Sequence, residues 1–211
     1  IFNSFSLCIS SNKDTSDYLK ILGAQNVKFF GNIKFCSSIE NEISGIDQFN
    51  QVTNRRIWCA LSTHKNEEDL FGNTHLKIKK TLGNILTIII PRHVNRINEI
   101  YSSLKDLGLN IQIKNERDEI KDSADIVLVN YYGSVNKYLK KIDQIFIGKS
   151  ILKKFKHTGG QNPIDAAKLG CHIYHGPYVY NFKDIYNFLD ETNLSEEIEN
   201  IEILSEKLVN N

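Results

Sequence analysis

Five short apolar runs, at residues 57–61, 85–90, 126–129, 144–147 and 171–174, each break off directly into polar residues, glycine or, after 90, Pro91. A further short run stands at 111–113. Between them lie stretches of helical periodicity. The clearest is 95–107, where Ile97, Ile100, Tyr101, Leu104 and Leu107 share one face and Gly108 supplies the stop. Strands of a half-exposed sheet alternate apolar and polar residues. These runs are apolar at nearly every position, with only Thr87, Gln144 and His172 polar, which requires cover on both faces. Strand–helix alternation with doubly covered strands predicts an α/β fold, a Rossmann-like parallel sheet with helices on both faces.

In such sheets ligands bind outside the carboxyl ends of the strands. The polar clusters fall there: Ser62, Thr63 and His64; Arg92 and His93; Asn130, Tyr131, Tyr132 and Gly133; Gly148, Lys149 and Ser150; Gly176 and Pro177. Each follows a run directly, so all are expected on one edge in space. Arg92 offers a fork of donors suited to a phosphate or a carboxylate, and is equally readable as a surface ion pair. His64 and His93 read either as ligand contacts or as strand-end core residues.

Gly159 and Gly160 precede Gln161, Asn162 and Pro163, and a helix opening follows at Ile164, Asp165, Ala166 and Ala167. Proline favours the first helical position and Asn162 is suited to the N-cap. Paired glycines permit close backbone approach, and a helix start carries unpaired N–H groups. The stretch reads as an anion site suited to a phosphate, or as a plain loop before a helix.

The 211 residues carry a formal net charge of +1, so the totals give no argument for a nucleic-acid partner. No apolar run is long enough to span a bilayer, and no signal-peptide pattern is present. Cys8, Cys36, Cys59 and Cys171 are widely spaced, which favours free thiols in a reducing compartment. His172 and His175 suggest a metal, but strand alternation places them on opposite faces and no fourth ligand is evident. Neither a metal nor a cofactor is expected.

One domain over 1–211 is expected, with 1–50 as an irregular lead-in and linker. Within it, strands are expected at 7–10 and 27–30, with a helix from Thr15 to Leu22 capped by Asp14 or Thr15 and stopped by Gly23. Residues 37–55 read as a linker or mobile loop with a helical turn near 39–46, and 196–211 as an amphipathic helix. The chain contains no Met, and is read as a soluble piece of a longer protein.

Taken in order, the clusters resemble the 3-deoxy-D-manno-octulosonic acid (Kdo) transferases. The matching residues are Leu22, Gly23 and Ala24, then Gly31, Asn32, Ile33, Lys34 and Phe35, then Ser62, Thr63 and His64 with Glu67 and Glu68. They continue as Pro91 through Arg96, Phe146 through Ser150, Gly159 through Ala167, and Gly176 through Phe182. The resemblance implies the C-terminal, donor-binding half of a GT-B glycosyltransferase that moves Kdo from CMP-Kdo to a lipid A precursor in lipopolysaccharide synthesis. Donor contacts are then expected from Ser62, Thr63, His64, Arg92, His93, Gly148, Ser150, Gly159, Gly160, Gln161, Asn162 and Asp165. Asp165 would meet ribose hydroxyls, and the glycine loop the phosphate. The catalytic base, the acceptor site and the membrane association belong to the N-terminal half, so this piece alone should not catalyse transfer. The resemblance places the whole protein at the cytoplasmic face of the bacterial inner membrane.

The chain departs from the family pattern at Gln161 (usually His), Asp165 (usually Glu) and Asn95 (usually Glu). Asn130 stands in place of an acid, and Ser134 and Val135 follow Gly133 where the family has Glu and Leu. Two alternatives therefore stand beside the first reading: a GT-B transferase or epimerase using a UDP-sugar, or a non-catalytic nucleotide-binding relative.

Overall fold

A computed structural model describes residues 1–31, 36, 49–52, 54–133 and 135–210. The Gly31-to-Phe35 motif beyond Gly31, the turn anticipated near 39–46 and Ser134 lie outside the described residues. The chain divides into two compact units, Ile1–Glu42 and Ile43–Asn211, where one domain with an irregular lead-in was expected.

The first unit contains a parallel pair, β1 (Cys8–Ser10) and β2 (Val27–Phe29), joined by helix α1 (Lys13–Ile21). The helix starts two residues earlier than the sequence suggests. Asn12, not Asp14 or Thr15, is the cap, its side chain accepting from the Thr15 N–H at 2.7 Å. Gly23 ends the turn at φ +95°, a left-handed conformation open to glycine.

The second unit holds a seven-stranded sheet. Its strands are β3 (Arg56–Thr63), β4 (Ile85–Pro91), β5 (Ile111–Lys114), β6 (Ile126–Val129), β7 (Gln144–Ile147), β8 (His172–His175) and β9 (Ser195–Glu197). Their spatial order is β5-β6-β4-β3-β7-β8-β9, and every pairing is parallel. The parallel sheet read from the apolar runs is present.

Helices α2 (Glu67–Leu82), α3 (Ile97–Lys105) and α7 (Ile201–Asn210) supply one layer. Phe71, Ile78, Ile100, Leu104, Leu204 and Leu208 from these helices pack with Trp58, Ala60 and Ile89 of the sheet. Helices α4 (Val135–Leu139), α5 (Ile164–Lys168) and α6 (Lys183–Glu191) supply the other. Leu139, Ala166, Tyr186 and Leu189 meet Cys59, Leu61 and Ile88 there. Adjacent residues of β3 thus enter opposite cores, the period-two consequence of a strand covered on both sides.

The winding decides where a ligand can sit. From β3 at the centre the chain steps outward to β4, on to the edge strand β5, and back to β6 between them. It then returns through α4 to β7 on the other side of β3. The reversal leaves a crevice between the carboxyl ends of β3 and β7, the topological switch point of the sheet.

Candidate functional site at the switch point

The end of β3 is irregular. Its register with β4 shifts between Leu61 and Thr63, and Ser62 takes φ +55°. This turns the Ser62 carbonyl onto the ring of His64, whose Nδ1 lies 3.0 Å from it. A carbonyl only accepts, so Nδ1 carries the proton and Nε2 keeps its lone pair. Burial pushes the His64 pKa down to about 4, assisted by Lys149, His93 and Arg92 and opposed by the Ser62 bond. His64 is a neutral acceptor near pH 7. His93 and Phe155 flank its ring edge-on, at centroid distances of 5.6 and 5.8 Å.

The end of β7 meets it across the crevice. The Gly148 N–H donates to the Leu61 carbonyl at 2.8 Å, which carries the ladder one step past the strand. A Cβ on Gly148 would stand 2.8 Å from both the Ser62 oxygen and the Thr63 Cα, so only glycine fits. Lys149 follows at φ +58°.

Between the loops lies a carboxylate that the sequence reading placed in the family motif but not in the site. Glu67 is fully buried. Its Oε2 accepts from the N–H of His64 at 2.9 Å and of Lys149 at 2.7 Å, and its Oε1 from the N–H of Ser150 at 3.1 Å. Burial pushes its pKa up, against the pull of the amides of Lys149, His64, Ser150 and Ile151. The next residue, Glu68, accepts from Thr63 Oγ1 at 3.0 Å and holds Arg96 in a two-point pair. Acidic residues in the first turn of a helix are ordinary, so the local signal for this pair was weak. Only the fold reveals which loops it gathers.

Of the anticipated site residues, Ser62, His64, Arg92, His93 and Gly148 come together at the ends of β3, β4 and β7. The Arg92 N–H donates to the Thr63 carbonyl at 3.0 Å, which ties the first two of these ends. Its side chain is exposed, with no ion-pair partner among the described residues. The alternative of a surface ion pair therefore fails for Arg92, while the neighbouring Arg96 is held in a buried pair with Glu68.

Thr63 and Ser150 are corrected. Both are fully buried. The Thr63 hydroxyl is engaged with Glu68. Ser150 Oγ donates to the Ile147 carbonyl at 2.6 Å and accepts from the Gly176 N–H at 2.9 Å, which links the β7 and β8 loops. Their hydroxyls shape the loops and are not available to a ligand.

The glycine pair is corrected as well. Gly159 N–H donates to the Phe155 carbonyl at 2.7 Å and Gly160 N–H to the Lys149 carbonyl at 2.8 Å. The close approach that needs glycine is to this chain itself. A Cβ on Gly159 would lie 2.0 Å from the Tyr178 carbonyl oxygen, and Gly160 adopts φ +90° against Val179. The Gln161 carbonyl accepts from the Tyr186 hydroxyl at 2.9 Å.

Pro163, not Asn162, occupies the cap position of α5. The Asn162 side chain nevertheless accepts from the Ile164 N–H at 3.2 Å. That leaves the amides of Asp165 and Ala166 as the first-turn donors without an intrahelical acceptor. Asp165 is half-buried.

The two histidines of β8 diverge, as strand alternation requires. His175 is buried with Nε2 3.1 Å from Asp190, and the His172 ring packs on Tyr174. No group of three metal-ligating side chains exists among the described residues.

No family model matches the chain. Curated relatives do. The 3-deoxy-D-manno-octulosonic acid transferase of Rickettsia felis is 28% identical over 213 residues, covering 99% of this chain and 44% of that protein. The one from Haemophilus influenzae is 25% identical over 74% of this chain and 38% of that protein. The chain thus spans less than half the length of these relatives.

Among solved structures, the C-terminal CMP-Kdo binding domain of WaaA from Acinetobacter baumannii superposes with a TM-score of 0.67 at 20% identity. It covers 75% of this chain and 80% of that one. A UDP-N-acetylglucosamine 2-epimerase described as putative, from Listeria monocytogenes, gives 0.54 at 15% identity, over 98% of this chain and 51% of that one. These likenesses establish the Rossmann-like, GT-B-type α/β fold. In sequence, the chain is similar to 3-deoxy-D-manno-octulosonic acid transferases over 74% to 99% of its length.

Proposed function

We propose that this chain is the donor-binding part of a Kdo transferase and holds CMP-Kdo in the crevice between the ends of β3 and β7. The observation that carries the reading is Arg92: an exposed guanidinium beside the switch point, with no carboxylate partner among the described residues. A CMP-sugar brings one phosphodiester and one carboxylate. Arg92 suits either, through paired N–H donors. His64, neutral and with Nε2 as acceptor, suits a hydroxyl of ribose or sugar and not the phosphate.

The first turn of α5 supplies a further donor through the amide of the half-buried Asp165, while its carboxylate accepts from ribose hydroxyls. Gly159, Gly160, Gln161 and Asn162 act by shaping this turn and its approach. Charge accumulates on the departing CMP during transfer, and fixed donors aimed at the phosphate stabilise that state. The lipid A precursor and the catalytic base belong to the rest of the whole protein, so the isolated chain binds donor without transferring it. No helix among the described residues is long and apolar enough to cross a membrane, and membrane association at the cytoplasmic face of the inner membrane is assigned to that remaining part.

A UDP-sugar is the second reading, favoured by the fold likeness to the epimerase. Titration of the 211-residue chain with CMP, UDP and CMP-Kdo, followed by calorimetry and amide shifts, separates the two. Preference for CMP, with shifts at His64, Arg92 and Asp165, supports the Kdo reading. Preference for UDP replaces it, and binding of none refutes a self-sufficient donor site.

A further inference from the structure

We infer that Glu67 is a positioning residue for the donor: its carboxylate fixes the loop after β3 to the loop after β7 and so sets the span across which His64 and Lys149 face the ligand. The inference rests on the donor site proposed above.

Glu67 belongs to α2, yet its side chain serves two loops separated by more than eighty positions in sequence. The bonds from Lys149 and Ser150 bridge separations of 82 and 83. The bond from His64 is local. Two N–H groups converge on Oε2 and one on Oε1, so both oxygens must accept. Only a carboxylate does that; an amide would turn an NH₂ toward one of these donors.

Two further features depend on the arrangement. Lys149 adopts a left-handed conformation that disfavours a residue with a side chain, and its N–H is held by the carboxylate. A Cβ on Gly148 would stand 2.9 Å from Oε2, as well as against the backbone of Ser62 and Thr63, so the carboxylate packs directly on the start of the β7 loop. Glu67 touches neither the reacting atoms nor, in this geometry, the open crevice. It acts through the residues it holds.

The test uses the 211-residue chain and Glu67→Gln, with Thr87→Val as a control. Thr87 is a buried partner of His75 paired with Trp58 early in β3, remote from the carboxyl edge, so its loss destabilises without reaching the loops. At a temperature where both variants give folded amide spectra, CMP should bind Glu67→Gln about tenfold or more weaker than wild type. Thr87→Val should stay within about twofold. Amide exchange at His64, Lys149 and Ser150 should accelerate in the first variant alone.

Wild-type affinity in folded Glu67→Gln overturns the inference, as does equal weakening in the control. Should Glu67→Gln fail to fold, through-hydrogen-bond couplings in the wild type decide. Couplings from the His64 and Lys149 nitrogens to the Glu67 carboxyl carbon support the tie, and their absence overturns it. A wild type that shows them but binds no CMP refutes the donor-site reading, and the positioning role falls with it.

Discussion

Arg96 grips Glu68 at two points, Nη1 to Oε1 at 3.0 Å and Nη2 to Oε2 at 3.3 Å, directly beneath the loop that presents His64. The Glu68 side chain is 3% exposed and that of Arg96 17%. A buried pair of this kind contributes little compared with an apolar replacement, but removing one member strands the other charge. Arg96→Met is expected to destabilise the chain by about 3 kcal/mol or more. Thr63 Oγ1 also bonds Glu68, so the end of β3 should loosen with it. The double variant Arg96→Met with Glu68→Leu should recover much of the loss. Urea unfolding of the three chains measures this, and a double variant no better than the single one would contradict it.

Arg92 gives the opposite expectation. It is exposed and has no ion-pair partner among the described residues, so Arg92→Ala should leave the melting temperature nearly unchanged. Affinity for CMP should fall about tenfold or more if one charge-assisted contact is lost. Calorimetric titration beside a thermal melt separates the two effects, and unaltered affinity would remove Arg92 from the site.

Stability should fall as pH drops from 6.5 toward 4. His75 is fully buried, its Nδ1 2.8 Å from Thr87 Oγ1, and burial lowers its pKa to about 4. Asp125 opposes this shift from 3.7 Å, too far to accept a hydrogen bond from Nε2. Between the folded value and the unfolded one near 6.5, the unfolded chain binds more protons, so acid favours unfolding. A shift of that size corresponds to about 3 kcal/mol lost across the window. The half-buried His64 adds in the same direction, less strongly because solvent screens it. Unfolding free energies of wild type and His75→Gln at pH 7 and pH 4.5 test this. The variant should show a clearly shallower pH dependence, and parallel curves would exclude His75 as the source.

The central strands were legible because each is an apolar run ended by turn residues, and a doubly covered strand leaves that mark. β9 left none. Ser195, Glu196 and Glu197 form an edge strand pairing only with β8, and nothing apolar distinguishes them, so Glu196 reads as the start of a helix that begins at Ile201. The carboxyl edge of the sheet, where the candidate site lies, was legible for the same reason as the strands. The direction of individual groups was not. Thr63, Ser150 and Glu67 stand among the polar residues that follow or flank the strands, and sequence gives no sign that the fold turns all three inward. The glycine pair shows the same limit: close approach was anticipated, but the approaching atom belongs to Tyr178 and not to a ligand.

That distinction gives the last expectation. Gly159 and Gly170 are both glycines of loops flanking α5, needed for different reasons. At Gly170 the backbone has φ +79° and a Cβ would meet nothing within 4 Å. Gly170→Ala therefore carries only left-handed strain, on the order of 1 kcal/mol, and CMP binding should persist. At Gly159 a Cβ would fall 2.0 Å from the Tyr178 oxygen, 2.7 Å from that of Phe155 and 2.8 Å from that of Lys149. All three are backbone atoms of the loops that frame the crevice, and none can swing aside as a side chain would. Gly159→Ala must push those loops apart, at a cost of about 3 kcal/mol or more. The Lys149–Gly160 hydrogen bond should break with them. Melting temperature and CMP affinity should therefore fall together in Gly159→Ala, while in Gly170→Ala the melting temperature falls modestly and the affinity holds. Matched losses of affinity in the two variants would mean that the packing of Gly159 against its neighbours does not shape the site.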